Sequence, residues 1–410
     1  MTKILLVSFY NDEAYGLRIL HSILVEEGYL TKMLFLKLYG NQKPLTKIEE
    51  DLFINFLTKH KIDIVGFSLV SPNWMLYKRL YPRIRQAGKF KIILGGWQPT
   101  LNPNECIPYC DVICRGEGEK IILTAINDIS KGIIKFPLLA GFSYTPLLFD
   151  DTHSYYIENN KIIHKDPYKE NTRYGTMIGR GCPYSCTYCS NSFMKKIYPL
   201  WSKIRYRSPI NVLTELDIVK RKLPKLERIN FYDEIFMPPK QWVKEFFIYY
   251  KKYIDLPFYC MFYPGTCKES MVKILKDAGL KGVWLGIQSG SEQIRKEIFK
   301  RHYSNEEIYK QVAIFQKYGI NVKYDFIFDN PFESLKETQE TIEMMAKLPK
   351  PKSFNLFSLK FFPNTEITKM ALEKGLITQK QVDDQLNIEY PRYTVSEERE
   401  KEILKEVKNV

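Results

Sequence analysis

Apolar and polar positions along this chain follow two alternating periods. Over the first 130 residues short apolar runs occur at KILLVSF (3–9), TKMLFLK (31–37), IDIVGFSLV (62–70), KIILGG (91–96) and DVICRGEGE (111–119). Between them the apolar residues recur every three to four positions, which predicts helices over AYGLRILHSILVEEGY (14–29), 46–61 and 74–87, a short one near 103–109 and a last one to about 130. Strands and helices in strict alternation predict an α/β fold, a Rossmann-like doubly wound parallel sheet spanning residues 1–135. Ligands of such sheets sit over the carboxyl ends of the strands. Those ends carry Ser8, Ser68, Gly95, Gly96 and Gly116, small residues that let a large ligand approach the backbone.

Residues 136–172 break this rhythm. They are rich in Pro, Asn, Asp and Tyr, with one hairpin predicted at Asn159-Asn160, and read as a connector. A second alternation then predicts strands at 174–179, 228–233, 257–263, 282–288, 321–328 and 354–362. Helices are predicted at 209–222, 239–253, 268–278, 291–299 with 305–318, 334–347 and 365–374. Six β/α units over 173–376 predict a partial, TIM-like (β/α)6 barrel with its site at the carboxyl ends of the strands. Residues 377–410 form a C-terminal extension that carries no signature and is expected over the barrel mouth.

Composition narrows the chemistry. At 410 residues the chain is long enough for two domains, and 45% hydrophobic with 14% aromatic residues suffices for two cores. No apolar run reaches the roughly 18 residues of a membrane span, and MTKILLVSFY reads as a buried strand, not a signal peptide. A cytoplasmic protein is expected. The eight cysteines are too few for a disulfide scaffold, and clustered thiols in such a chain point to metal binding or catalysis. The net charge of +14 comes from lysines scattered along surface helices, with no aromatic-interleaved stripe or arginine-rich arm, so nucleic acid is not expected as a partner.

Three of the thiols are crowded together. GTMIGRGCPYSCTYCSNSF (175–193) follows the first barrel strand and sets Cys182, Cys186 and Cys189 at CxxxCxxC spacing. Four cysteines would saturate a 4Fe–4S cluster or a structural zinc; three leave one position open for chemistry. Gly181 and Pro183 let the loop curl around one cluster. Zinc with a distant fourth ligand, and chance core thiols, are the competing readings.

With this loop the chain resembles the radical SAM enzymes. In that family the loop holds a 4Fe–4S cluster whose open iron takes S-adenosylmethionine (SAM), and Tyr188 stands where an aromatic residue meets the adenine. INFYDEIFM (229–237) matches the acidic element that receives the methionyl amine, through Asp233 or Glu234. GIQSGSEQIRKEIFKR (286–301) is similar to the segment contacting ribose and carboxylate, implying Gln288, Ser289, Ser291 and Arg301. GINVKYDFIFDNPFES and FFPNTEI are also in family register.

The amino-terminal half is similar to the cobalamin-binding domain that precedes the barrel in one large radical SAM class. There the GG turn (Gly95, Gly96) and the GEGE turn (Gly116, Glu117) approach the corrin or its nucleotide tail. The DxHxxG motif that supplies a histidine to cobalt in other cobalamin proteins is absent. Asn73 or Trp74 is therefore expected near cobalt's lower face.

Other candidates have plainer readings. Cys106, Cys110 and Cys114 are expected on different elements, not on a second cluster. Cys260 and Cys267 compete between core packing and facing the substrate. Asp325 and Asp329, four apart on one strand, are expected to point together into the barrel and serve catalysis.

The resemblance implies a cobalamin-dependent radical SAM enzyme that methylates an unactivated carbon through a 5′-deoxyadenosyl radical and methylcobalamin. The alternatives are a cyclase or rearrangement enzyme of the same class, a methylthiotransferase, which the missing second cluster and RNA-binding tail oppose, and a non-catalytic cobalamin or SAM sensor. The implied partners are a small-molecule, lipid or peptide substrate and an external electron donor of the flavodoxin or ferredoxin type.

Overall fold

Each apolar run of the amino-terminal half becomes a strand because helices cover both of its faces. In the computed structural model, which describes residues 2–127, 132–135, 149, 151–386 and 393–410, the first domain runs β1 (Lys3–Phe9), α1 (Tyr15–Glu26), β2 (Leu30–Leu36), α2 (Lys47–Lys59), β3 (Ile64–Ser68), α3 (Trp74–Ala87), β4 (Lys91–Gly95), α4 (Trp97–Leu101), α5 (Pro103–Cys106), β5 (Val112–Cys114), α6 (Ile121–Asn127) and β6 (Gly132–Ile134). The strands pair in parallel in the order β6-β5-β4-β3-β1-β2. Leu5, Val7 and Phe67 pack one face on α2 and α3 through Phe53, Leu76 and Leu80. Ile4, Leu6 and Ile93 pack the other on α1 and α6 through Leu17, Leu24 and Ile122.

The stretch expected as a connector extends this sheet. β7 (Ser154–Glu158) pairs parallel to β2, and β8 (Lys161–His164) returns antiparallel to it. The hairpin turns at Asn159-Asn160, both left-handed with φ of 51° and 59°, as a two-residue turn of the primed type requires. Residues 136–148 and 150 of the expected connector lie outside the described residues, as do the last positions of the helix expected to about 130 and residues 387–392 of the extension.

The second domain begins at β9 (Arg173–Thr176), β10 (Gly179–Arg180), α7 (Ser190–Ile197), β11 (Arg205–Tyr206), α8 (Pro209–Lys222) and β12 (Arg228–Phe231). It continues through α9 (Lys240–Tyr249), β13 (Phe258–Phe262), α10 (Glu269–Ala278), β14 (Leu280–Gln288), α11 (Asn305–Lys317), β15 (Asn321–Phe328), α12 (Leu335–Lys347), β16 (Ser353–Ser358) and α13 (Glu366–Glu373). Six parallel strands in the order β9-β12-β13-β14-β15-β16 form a curled half-barrel. The small antiparallel ribbon β10–β11 stands outside it. Val283, Leu285 and Ile287 belong to the core between sheet and helices, so the alternate residues Trp284, Gly286 and Gln288 face the barrel interior.

The C-terminal extension adds α14 (Gln379–Leu386) and α15 (Glu397–Asn409). Its backbone pairs with the outer edge of β16, Val395 N–H donating to Leu356 O at 3.0 Å and Ser358 N–H to Tyr393 O at 2.8 Å. α15 packs on α12, and its Ile403 joins the core between sheet and helices. This helix therefore backs the barrel wall and does not cover the mouth, because β16 offers an unpaired edge that the chain satisfies first. Among the described residues no helix is long and apolar enough to cross a membrane.

Candidate active site

The carboxyl ends of both sheets face one cleft of about 1120 Å³ of atom-free space. Ser68, Gly95, Gly96, Gly116 and Glu117 line it from the first domain; Met177, Arg180, Met194, Trp201 and Glu234 line it from the second. An apolar arm runs between sheet and α1 past Leu6, Leu17, Leu20, Gly66 and Ile122. Glycine is required at its bends. Gly96 has φ +95°, and a Cβ there would stand 2.6 Å from Leu69 O; Gly116 has φ +97°, and a Cβ would meet the Tyr198 hydroxyl.

Arginines from the ribbon, of which Arg180 lines the cleft, pair with the GEGE turn. Arg205 pairs with Glu117, and Arg180 pairs with both Glu117 and Glu119. Glu117 thus both lines the cleft and ties the domains together.

Three expected cobalamin contacts lie elsewhere. Trp74 is buried in the core on the opposite face of the sheet, stacked on Tyr77 with its Nε1–H donating to Glu105. Asn73 is buried beside it and Ser8 within β1; neither lines the cleft. Trp97 and Thr100, on the helix after the GG turn, occupy that wall instead. The strand-end rule brings these loops to the cleft but does not say which side of each loop lines it. Among the described residues no histidine lines the cleft.

The thiol loop sits at the second domain's rim. Cys182 and Cys186 are buried and Cys189 half-buried. Burial, and then the proximity of Cys186, push the Cys182 thiol up to about 11 and the Cys189 thiol up to about 12. Among the described residues no three His, Cys, Asp or Glu side chains converge on a single-ion site. A cubane asks for no such convergence, since it places each thiolate on a different iron. The buried Arg301 lies alongside, its Nη1 donating to the Tyr188 hydroxyl at 2.9 Å and approaching Cys186 Sγ at 3.5 Å. Its Nη2 donates to Gly286 O at 2.7 Å, and its guanidinium stacks on Tyr263.

Asp233 and Glu234 divide the work of their element. Asp233 Oδ1 accepts from the backbone N–H of Ile178 and Gly179 at 3.1 and 2.7 Å, bracing the approach to the cysteine loop. Glu234 lines the cleft. Asp233 Oδ2 and Glu234 Oε2 are buried without a partner. Burial raises the Asp233 carboxyl well above the carboxylate range and lifts Glu234 to about 7. Such a pair invites a cation or an ammonium group.

Gln288 sits at a bulge in β14 with φ 75°, on the interior face. Ser289 and Ser291 are buried inside the turn, Ser289 Oγ lying 3.3 Å from Thr341 Oγ1 and accepting from Ser291 N–H. The expected acid pair does not form. Asp325 points inward and accepts from Asn355 Nδ2 at 2.7 Å, and burial lifts its carboxyl to about 6. Asp329 lies past the end of β15, exposed and left-handed at φ 55°. The strand stops at Phe328, so four-residue spacing no longer keeps the two on one face. Glu333, lifted to about 7 by burial, and the interior residues Trp284 and Asn355 escaped notice because no short pattern marks them.

The remaining cysteines are structural. Cys106 and Cys110 pack on one face of the first sheet and Cys114 on the other, so they cannot share a cluster. Cys260 and Cys267 belong to the core outside the barrel.

These features coincide with two family matches. A Radical SAM superfamily model matches residues 176–345, and a B12 binding domain model matches residues 2–125. The chain therefore carries a radical SAM domain and, ahead of it, a B12-binding domain. The first implies a 4Fe–4S cluster with SAM, and the second implies cobalamin. The three-thiol loop, the unpartnered buried carboxylates and the glycine-lined cleft fit these groups.

The chain is 26% identical to an uncharacterised methyltransferase of Pyrococcus horikoshii over 70% of its length and 64% of the relative's, so it spans under two thirds of that protein. It is 23% identical to the bacteriochlorophyllide d C-8(2)-methyltransferase of Chlorobaculum tepidum, over 77% of this chain and 70% of that one. Among solved structures, the radical SAM methyltransferase TsrM from Kitasatospora setae superposes with a TM-score of 0.67 at 16% identity, covering 90% of this chain and 76% of that one. The cobalamin-dependent radical SAM enzyme OxsB superposes at 0.65 and 19%, covering 97% and 64%. Both likenesses concern the fold.

Proposed function

We propose that this protein is a cobalamin-dependent radical SAM methyltransferase acting at an unactivated carbon. The observation that carries the reading is the single cleft shared by the GG and GEGE turns of one domain and Glu234, beside the thiol loop, of the other. When bound, the cluster supplies the electron that cleaves SAM to an adenosyl radical, and methylcobalamin supplies the methyl group.

The chain's own residues bind and orient. Cys182, Cys186 and Cys189 would hold the cluster, one thiolate to each of three irons. Glu234 accepts the methionyl amine of SAM, while Asp233 holds the backbone of Ile178 and Gly179 in place. Tyr188 and Arg301 form one hydrogen-bonded unit at the adenine and carboxylate side, with Gln288 on the interior face. Gly95, Gly96, Gly116 and the arm past Leu6 and Leu20 would accommodate the corrin and its tail. The substrate enters the half-barrel against Trp284, Tyr259 and Asp325, where the Tyr259 and Trp284 rings lie 5.8 Å apart.

Product analysis tests this. Methylating an unactivated carbon uses two SAM molecules differently, so S-adenosylhomocysteine and 5′-deoxyadenosine should rise together, about one to one with methylated product. Glu234→Gln should depress 5′-deoxyadenosine. A second reading, cyclisation or rearrangement, is favoured by 21% identity to the anaerobic magnesium-protoporphyrin IX monomethyl ester cyclase of Rubrivivax gelatinosus. It predicts 5′-deoxyadenosine without S-adenosylhomocysteine. A sensor would form neither.

A further inference from the structure

Residues 171–214, the stretch that carries the three thiols, contain seven Lys or Arg and no Asp or Glu. The four arginines are neutralised by carboxylates from outside the stretch: Arg173 by Glu13, Arg180 by Glu119, Arg205 by Glu117 and Arg207 by Glu215. The three lysines are not. Lys195 donates to Tyr184 O and Ser185 Oγ on the thiol loop, and Lys196 and Lys203 are exposed without a carboxylate partner among the described residues.

Both lysine-bearing segments are anchored to that loop. Cys182 N–H donates to Trp201 O at 3.0 Å, and a Cβ on Gly181 would stand 2.6 Å from Lys203 O. Lys135 adds a further charge, donating to Ile197 O at the end of α7. Within this rim the loop tip reaches solvent at Pro183 and Ser185, beside the exposed Leu200. The result is a positively charged surface with a small apolar centre, directly over buried cluster ligands.

We propose that this rim is the landing surface for an acidic one-electron carrier protein, with a flavin or iron–sulfur centre, that reduces the cluster through the loop tip. The inference rests on the reading above. In the step one electron leaves the carrier, which is oxidised, and enters the cluster, which is reduced; no atom or proton need move. The favourable field of uncompensated lysines steers an acidic partner and fixes its orientation, and electron transfer falls steeply with distance, so the loop tip is where contact serves it.

The probe is a purified acidic flavodoxin, with dithionite as the small-molecule comparison. Lys196→Glu/Lys203→Glu leaves the hydrogen-bonded Lys195 untouched. It should slow cluster reduction by flavodoxin hydroquinone roughly tenfold or more, and weaken flavodoxin binding at low salt, while reduction by dithionite is unchanged. Carbodiimide cross-links in the native protein should map to Lys196, Lys203 or Lys135. Unchanged flavodoxin binding in the double variant, or cross-links confined to another face, overturns the proposal. So does equal tightness towards vesicles of anionic phospholipid and towards flavodoxin, which would make the surface a membrane contact. Binding and cross-linking need no cluster, so they judge the surface even where dithionite reduction fails, a failure that counts against the enzymatic reading alone.

Discussion

At the scale of single residues, burial decides which titratable groups matter. Thiols pushed up to about 11 and 12 resist ionisation, so iron must displace their protons on binding, and only a geometry built for it will do so. Changing Cys182, Cys186 and Cys189 together to Ala should therefore abolish the 4Fe–4S absorption of reconstituted protein. Changing Cys106, Cys110 and Cys114 should leave it intact, because those thiols lie on opposite faces of one sheet. Asp325 gives a pH test. Its folded-state pKa, about 6, is raised above the usual 3.8 by burial. The folded protein thus holds that proton more tightly than the unfolded chain does. The stabilising contribution is complete below about pH 4 and lost as pH rises towards 6. Asp325→Asn removes the dependence, so in urea unfolding of the apo chain the variant should gain about 1–3 kcal/mol on the wild type between pH 4 and pH 7. A difference independent of pH would show that the carboxyl is not buried as described.

At the scale of elements, the hydrophobic pattern was legible wherever a strand or helix is defined by its own faces. β1, β15, α3 and α8 begin and end where the apolar periods do. The failures share one cause, partners distant in sequence. Nothing local in SYYIE says that it will pair with β2 more than a hundred residues earlier, and nothing in residues 393–395 announces the edge of β16. Site residues divide in the same way. Cysteine spacing and glycine turns are local signals and were read. Trp97 taking the wall expected of Trp74, and Asp329 leaving the barrel, depend on where each loop bends. The GG turn offers the element-scale prediction. A Cβ at Gly95 would make only ordinary contacts, the nearest 3.8 Å away at Cys114 Cβ. Gly95→Leu can therefore fill the cleft with little backbone strain. It should lower cobalamin affinity tenfold or more, a loss of about 1.4 kcal/mol or greater, with cluster content unchanged.

At the scale of the whole molecule, cofactor chemistry shared between two sheets requires that the sheets not drift apart. The buried seam below the cleft provides this. Glu215, on α8, accepts hydrogen bonds from Tyr15 of the first domain and from Tyr174 and Thr176 of β9, and it pairs with the buried Arg207. Arg207 also donates to Met177 O at 3.1 Å, beside the cleft wall. A second buried pair, Arg18 with Asp166, ties α1 to the segment leading into the barrel, the guanidinium lying over Phe35 and Tyr168. Neither pair argues for net stability by itself, since burying charges costs as much as it returns. Breaking one is different, because the survivor is left buried and alone. Glu215→Ala should cost about 3–5 kcal/mol, most of it from the stranded Arg207. Tyr15→Phe should cost about 1 kcal/mol, removing one donor and leaving three. If the seam also holds the domains in register, Glu215→Ala should split the calorimetric transition in two and release cobalamin faster, whereas Tyr15→Phe should keep one transition. A single, merely lowered transition with unchanged cobalamin release would reduce the network to an ordinary piece of the barrel core.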